Sequence, residues 1–258
     1  MSTKAKYTGG SMNFFDTRYN NNLPSKMWAD CPWLAAMADP SIAHYFVEDF
    51  QHVYGPGTTD ATMAGYTRTQ ATAGTVEIVT NVPGGAMLCS AASATQHQGV
   101  NVQKTHPIIK PAAGKHIWFE VRAKRGGTAS SKSQLFIGLS KINTTILPSG
   151  IITAQEDFAG VASITAQDNR IDLVGAKGAT RAYTNSVMTL DDEWHTYGLK
   201  FNGITSASLW IDGVDTGKTI ATANVPAVDL TPSWVCQSDG TTGNPTLTVD
   251  YWGYLQLR

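Results

Sequence analysis

The chain has 258 residues, of which only 15% are charged, and a formal net charge of −1. So neutral a surface supplies no long-range field toward phosphate backbones, which argues against nucleic acid as a partner. Cys31, Cys89 and Cys236 lie far apart without the spacing of a thiolate zinc site or a disulfide framework, and no run reaches the roughly 18 apolar residues of a membrane span.

Residues 1–45 read as an N-terminal arm. Its polar, glycine-containing start lacks the apolar core of a signal peptide. Phe14, Phe15, Trp28 and Trp33 then crowd into a short stretch. Pro24, Pro32 and Pro40 cut the arm into pieces too short for isolated helices, although Ser25 can cap a turn over 26–30 and Pro32 can open one over 33–38 at the first helical position. Such turns need a surface to lie against. The four aromatics are therefore candidate assembly contacts, with the arm as an attachment segment.

From 46 to 258 the pattern changes to short apolar or alternating runs punctuated by Gly, Pro, Asn and Asp, the mark of antiparallel strands joined by turns. Strands are predicted at 75–80, 86–91, 116–123, 135–141, 162–164, 171–175, 195–201, 207–211 and 246–257. Alternation is sharpest at 116–123, where Ile117, Phe119, Val121 and Ala123 share one face and Trp118, Glu120 and Arg122 the other. Asp212-Gly213 is a two-residue hairpin signal. Many strands with almost no helix predict an all-β sandwich or barrel.

The stretch from Glu193-Trp194-His195 to Trp210-Ile211-Asp212-Gly213 resembles neighbouring strands of the concanavalin A-like jelly roll, the sandwich of laminin-G modules, lectins and laminarinase-type glucanases. Three further runs sharpen the likeness: Phe46-Val47-Glu48-Asp49-Phe50, Gly114 to Arg122 followed by Leu135 to Leu139, and the closing Leu247-Thr248-Val249-Asp250-Tyr251-Trp252. With these, residues 46–258 resemble tailed-phage virion proteins built on that jelly roll. The resemblance implies a non-enzymatic structural protein of the capsid surface, made in the host cytoplasm and held by its arm to the major capsid protein or other virion subunits. A homo-oligomer, for instance a trimer, would fit, and near-zero net charge favours association. A lectin-like carbohydrate-binding module, free or particle-borne, is the alternative.

No catalytic array stands out. Glucanases of this fold set two glutamates and an aspartate at alternating positions of one strand, so that acid and nucleophile flank the scissile bond from one face. Here Glu48-Asp49, Glu156-Asp157 and Asp191-Asp192-Glu193 are adjacent and read as solvated turns. Gly213 to Thr219 is one residue short of a phosphate-binding loop and precedes a strand-favouring run, which makes it hairpin chemistry. The six histidines, at 44, 52, 97, 106, 116 and 195, show no metal-binding spacing, and no cofactor is expected. Asp212, Asp215 and Asp239 stand near turns, where calcium is one reading and backbone hydrogen bonding the commoner one. Trp118 and Trp210 are the candidates for stacking on a glycan, against the ordinary alternative of core packing.

Overall fold

The computed structural model describes residues 6–8, 11–13, 26–50, 65–71, 74–79, 84–92, 95–127, 133–144, 156–163, 170–240 and 244–258. Two short strands, β1 (Lys6–Thr8) and β2 (Ser11–Asn13), pair with each other. A 3-10 turn at Lys26–Trp28 and helix α1 (Trp33–Ala38) follow. The helix spans the expected 33–38, with Pro32 one position earlier than expected, at the N-cap; the turn covers 26–28 of the expected 26–30, and Ser25 lies outside the described residues.

Among the described residues fifteen strands build the sandwich: β3 (Ala43–Glu48), β4 (Tyr66–Ala71), β5 (Thr75–Val79), β6 (Ala86–Ser90), β7 (Gly99–Lys104), β8 (His116–Gly126), β9 (Ser133–Ser140), β10 (Phe158–Ser163), β11 (Arg170–Lys177), β12 (Thr180–Thr189), β13 (Trp194–Asn202), β14 (Ser206–Ile211), β15 (Val214–Ala221), β16 (Thr231–Ser238) and β17 (Thr246–Leu257). One sheet runs β12-β11-β10-β9-β16-β7-β4, the other β15-β14-β13-β8-β17-β6-β5. In the second, β17 pairs with β8 along one edge and with β6 and then β3 along the other. All these pairings are antiparallel. The protein is a concanavalin A-like jelly-roll β-sandwich with an N-terminal arm containing short helical turns.

The sequence signals map onto this frame directly. Ile117, Phe119, Val121 and Ala123 of β8 enter the inter-sheet core with Trp234, Trp252 and Phe201. Asp212 and Gly213 both take positive φ, at 50° and 74°, the left-handed pair of a two-residue turn between β14 and β15. Strand β15 follows at once, so Gly213 to Thr219 is a hairpin arm, as its spacing predicts. β3, β4, β7, β12 and β16 are absent from the strands predicted from the sequence. Pro232 lies in β16, a central strand, although a proline ordinarily argues for an edge.

Residues 26–38 fold back onto the outer face of the eight-stranded sheet. Met27 and Ala36 are fully buried there with Ala43, Trp118 and Leu255, and Trp28, Cys31, Trp33, Trp210 and Leu257 pack around them. Gly198 makes the contact feasible: a Cβ there would lie 2.5 Å from Met27 Sδ. Asp30 ties the turn down, accepting hydrogen bonds from Trp118 Nε1 at 3.1 Å and from Lys200 Nζ.

Candidate functional site

The outer face of the seven-stranded sheet holds the densest polar construction in the described residues. Alternation along β7 sends Val100 and Val102 into the core and leaves Asn101 and Gln103 on the other face. In register beside them, β16 presents Thr231, Ser233, Val235 and Gln237, and β9 presents Gln134, Phe136, Gly138 and Ser140. Asn101, Gln103, Gln134, Ser140, Ser233 and Gln237 are all at most 6% exposed. Buried amides and hydroxyls at this density must be hydrogen-bonded to be tolerated.

Most are. Gln103 Nε2 donates to Ser140 Oγ at 2.8 Å and to Ser233 Oγ at 2.9 Å, while its Oε1 accepts from Asn143 N at 2.9 Å. The two serine hydroxyls meet at 2.8 Å, and Ser233 Oγ donates onward to Thr231 O. Asn101 Nδ2 donates to Asn143 O at 3.1 Å, which fixes the amide's orientation. The exceptions are Asn101 Oδ1 and Gln237 Oε1, both buried and both without a partner. They line a cleft of about 80 Å³ at the β4–β7–β16 side, with Thr69, Ala71, Gly99 and Thr144. Gly99 is the floor: a Cβ there would fall 2.1 Å from Cys236 O, so no larger residue fits without moving β16.

Toward the middle of the same face the chemistry turns apolar. Phe136, Phe158, Ala162, Val174, Ala176 and Val235 form a second core, with Phe136 and Phe158 edge to face at 5.9 Å. The strands of this sheet carry a single carboxylate, Asp172 on β11, which is 1% exposed. They do not supply the carboxylate pair that glycoside hydrolysis ordinarily places across the scissile bond.

A second polar group sits at the rim of the other sheet. His195 Nδ1 lies 2.6 Å from Asp212 Oδ2 and Nε2 lies 2.9 Å from Asp191 Oδ1, an arrangement that calls for both ring nitrogens to donate. Burial works against the charge on His195, but the hydrogen bonds and charges of Asp212 and Asp191 outweigh it and hold the pKa above its ordinary value. Asp191 is thus the acidic i, i+4 companion that the sequence reading did not assign to any histidine. Asp212 also accepts from Thr196 N, and Asp215 from Gly217 N, the backbone role expected of turn aspartates. Among the described residues no group of three or more His, Cys, Asp or Glu side chains is placed to hold a metal ion.

The sequence-derived candidates lie away from the cleft. Phe14 and Phe15 fall outside the described residues. Trp28 and Trp33 pack against each other at a tilt of 42° with ring centroids 5.2 Å apart, and Trp33 meets Tyr45 edge to face at 5.3 Å, within the chain's own sandwich. Trp118 is 3% exposed beneath the arm and has no ring face open to a sugar, which corrects its candidacy for stacking. Trp210 is half-buried in the same cluster, its Nε1 donating to Ser208 Oγ. Asn101, Gln103, Ser233 and Gln237 were missed, although Val100-Asn101-Val102-Gln103 carries a period-two signal; Ser233-Trp234-Val235-Cys236-Gln237 carries none.

No family model and no curated protein matches the sequence. Solved structures do match. An endo-1,3-β-glucanase from Streptomyces sioyaensis superposes with a TM-score of 0.56 at 13% identity, over 82% of this chain and 95% of its own. An endo-β-1,4-glucuronan lyase from Trichoderma reesei gives 0.50 at 13% identity, over 81% and 94%. A putative β-glucanase from Mycobacterium abscessus gives 0.51 at 11% identity, over 81% and 98%. At these identities the likeness shows the shared fold. It also corrects two expectations: a capsid decoration role finds no support among these relatives, and with a glucanase and a lyase on the same frame the non-enzymatic reading does not stand.

Proposed function

We propose that the protein recognises carbohydrate on the outer face of its seven-stranded sheet. The observation that carries this reading is the rigid amide and hydroxyl network around Gln103, ending in two unpaired buried oxygens at a cleft. Sugars present dense hydroxyl donors, and a pocket with a few fixed polar groups is how small polar ligands are oriented. Support from outside the chain is that a glucanase, a lyase and a putative glucanase share the sandwich. Fold alone assigns no substrate, so the site carries the proposal.

The test is a calorimetric titration of the purified full chain with β-1,3-gluco-, β-1,4-gluco- and β-1,4-glucurono-oligosaccharides of two to six units. Chromatography of the same mixtures reads shortened or unsaturated products, which covers hydrolysis and elimination as well as binding. Binding or turnover of at least one series is the expected result. Silence across all three at millimolar ligand would sink the reading.

A further inference from the structure

A glycan bound along its length needs an open track across a sheet, several sugar units long. This face has no such track at its centre. Phe136, Phe158, Val174 and Val235 are at most 1% exposed and pack as a core, so the middle of the sheet is closed to a polymer. The opening lies to one side, at the β4–β7–β16 cleft, whose volume of about 80 Å³ is well below the roughly 300 Å³ of a site that encloses a whole ligand, so it has room for the end of a chain only.

Within that cleft the unmet valences are of one kind. Asn101 Oδ1 and Gln237 Oε1 are amide oxygens, which accept and cannot donate. Asn101 cannot turn its NH2 inward without losing Asn143 O. A buried acceptor left unpaired is destabilising, so the arrangement is explained by a ligand that brings O–H or N–H groups. Asn101 lies opposite Val235, and Gln237 lies opposite Gly99, which places the two oxygens diagonally across adjacent strands, within reach of neighbouring hydroxyls on one small ring.

We infer that this cleft takes the end of a sugar chain, one or two residues whose hydroxyls are donated to Asn101 and Gln237, and excludes internal stretches of a polymer. The inference rests on the carbohydrate reading above and goes beyond it in fixing which part of a glycan enters and which atoms receive it.

The oligosaccharide series that binds in the first titration is measured again unit by unit. The expected result is a dissociation constant that stays within about twofold from two to six units, because added sugars lie outside the cleft. Gln237→Leu weakens binding by about tenfold, the scale of one buried hydrogen bond, and Gln237→Glu, which keeps an acceptor, stays within a few-fold of the parent. Circular dichroism melts confirm that each variant folds, and Asn101→Ser replaces Gln237→Leu should the latter not fold. Affinity that climbs more than about tenfold with chain length, or a Leu variant that binds like the parent, overturns the terminal site and leaves the carbohydrate reading intact. Failure of every series to bind removes both.

Discussion

The two outer faces of the sandwich are both covered, and they are covered differently. On the eight-stranded sheet, Met27 and Ala36 seal an apolar patch of Ala43, Trp118 and Leu255, and at its edge the exposed carboxylate of Asp30 takes both Trp118 Nε1 and Lys200 Nζ. On the seven-stranded sheet, a second apolar core around Phe136 borders a hydrogen-bonded amide network that stops two acceptors short of closure. Where the hydrogen bonds close, the cover is explained as structure. Where they do not, the unpaired oxygens are an energetic debit that a ligand can remove. The contrast separates an arm that packs into the fold from the face on which the carbohydrate proposal rests.

The largest effect is expected on the closed side. Trp118→Ala removes a ring buried to 3% exposure together with its hydrogen bond to Asp30, and truncations of this kind cost about 3–5 kcal/mol. Urea unfolding monitored by fluorescence reads it. A loss below about 1 kcal/mol would mean that the arm is laid on the sheet without holding it. Asp30→Ala should follow at about 1 kcal/mol: it strands the indole N–H, while the carboxylate is itself exposed and the Lys200 ammonium can turn to water. Its pH signature has a fixed sign. Burial raises the Asp30 pKa, yet the hydrogen bonds from Lys200 and Trp118 outweigh that and hold it below the ordinary 3.8. The stabilisation is therefore complete above the unfolded value and is lost as pH falls through the folded one. The parent and Asp30→Ala stabilities should converge in that acid window.

Much of this architecture is legible in the residues. Ile117-Trp118-Phe119-Glu120-Val121 announces a strand with one face in the core, Asp212-Gly213 the hairpin turn between β14 and β15, and Pro32 the start of α1. The binding face is less legible for a physical reason. Strands β9 and β10 are buried on both faces, so Ser133–Ser140 and Phe158–Ser163 show no contrast between wet and dry positions. Pro232 disguises β16, and the polar Tyr66–Ala71 reads as loop. The partners of Gln103 lie 37 and 130 residues away, at Ser140 and Ser233, and no local pattern encodes that meeting. Trp118 misled because an aromatic on the outward side of a strand looks exposed until the arm that covers it is placed.

The open side predicts a gain. Gln237→Leu should raise unfolding stability by about 1 kcal/mol, since it deletes a buried acceptor that has nothing to accept from and keeps an apolar stem of similar length. The same change on the closed side, at Asp30, can only lose stability. An increase in urea midpoint for Gln237→Leu alongside weaker glycan binding would mark a residue kept for its ligand. A clear loss would mean that Gln237 closes a structural network after all, and the two faces would then be alike.

The smallest effect sharpens the comparison at the rim of the eight-stranded sheet. His195 joins the chain before β13 to the β14–β15 turn through Asp191 and Asp212, and both carboxylates are about half exposed. Solvent and salt screen such pairs, so their contribution is about 0.5 kcal/mol. Because the folded pKa of His195 lies above its ordinary 6.5, that contribution is full below the unfolded value and fades as pH rises through the folded one. Asp212→Asn keeps the Oδ1 that accepts from Thr196 N, and asparagine tolerates the φ of 50° at this turn. What it removes is the charge opposite the imidazolium. Stability of the parent should decline slightly as pH rises past the unfolded value of 6.5 and through the folded one, where Asp212→Asn stays flatter, with the gap shrinking in added salt. A variant with the same slope would show that the rim pairs exchange with water at no net gain, leaving Asp30 as the polar contact that distinguishes the closed face.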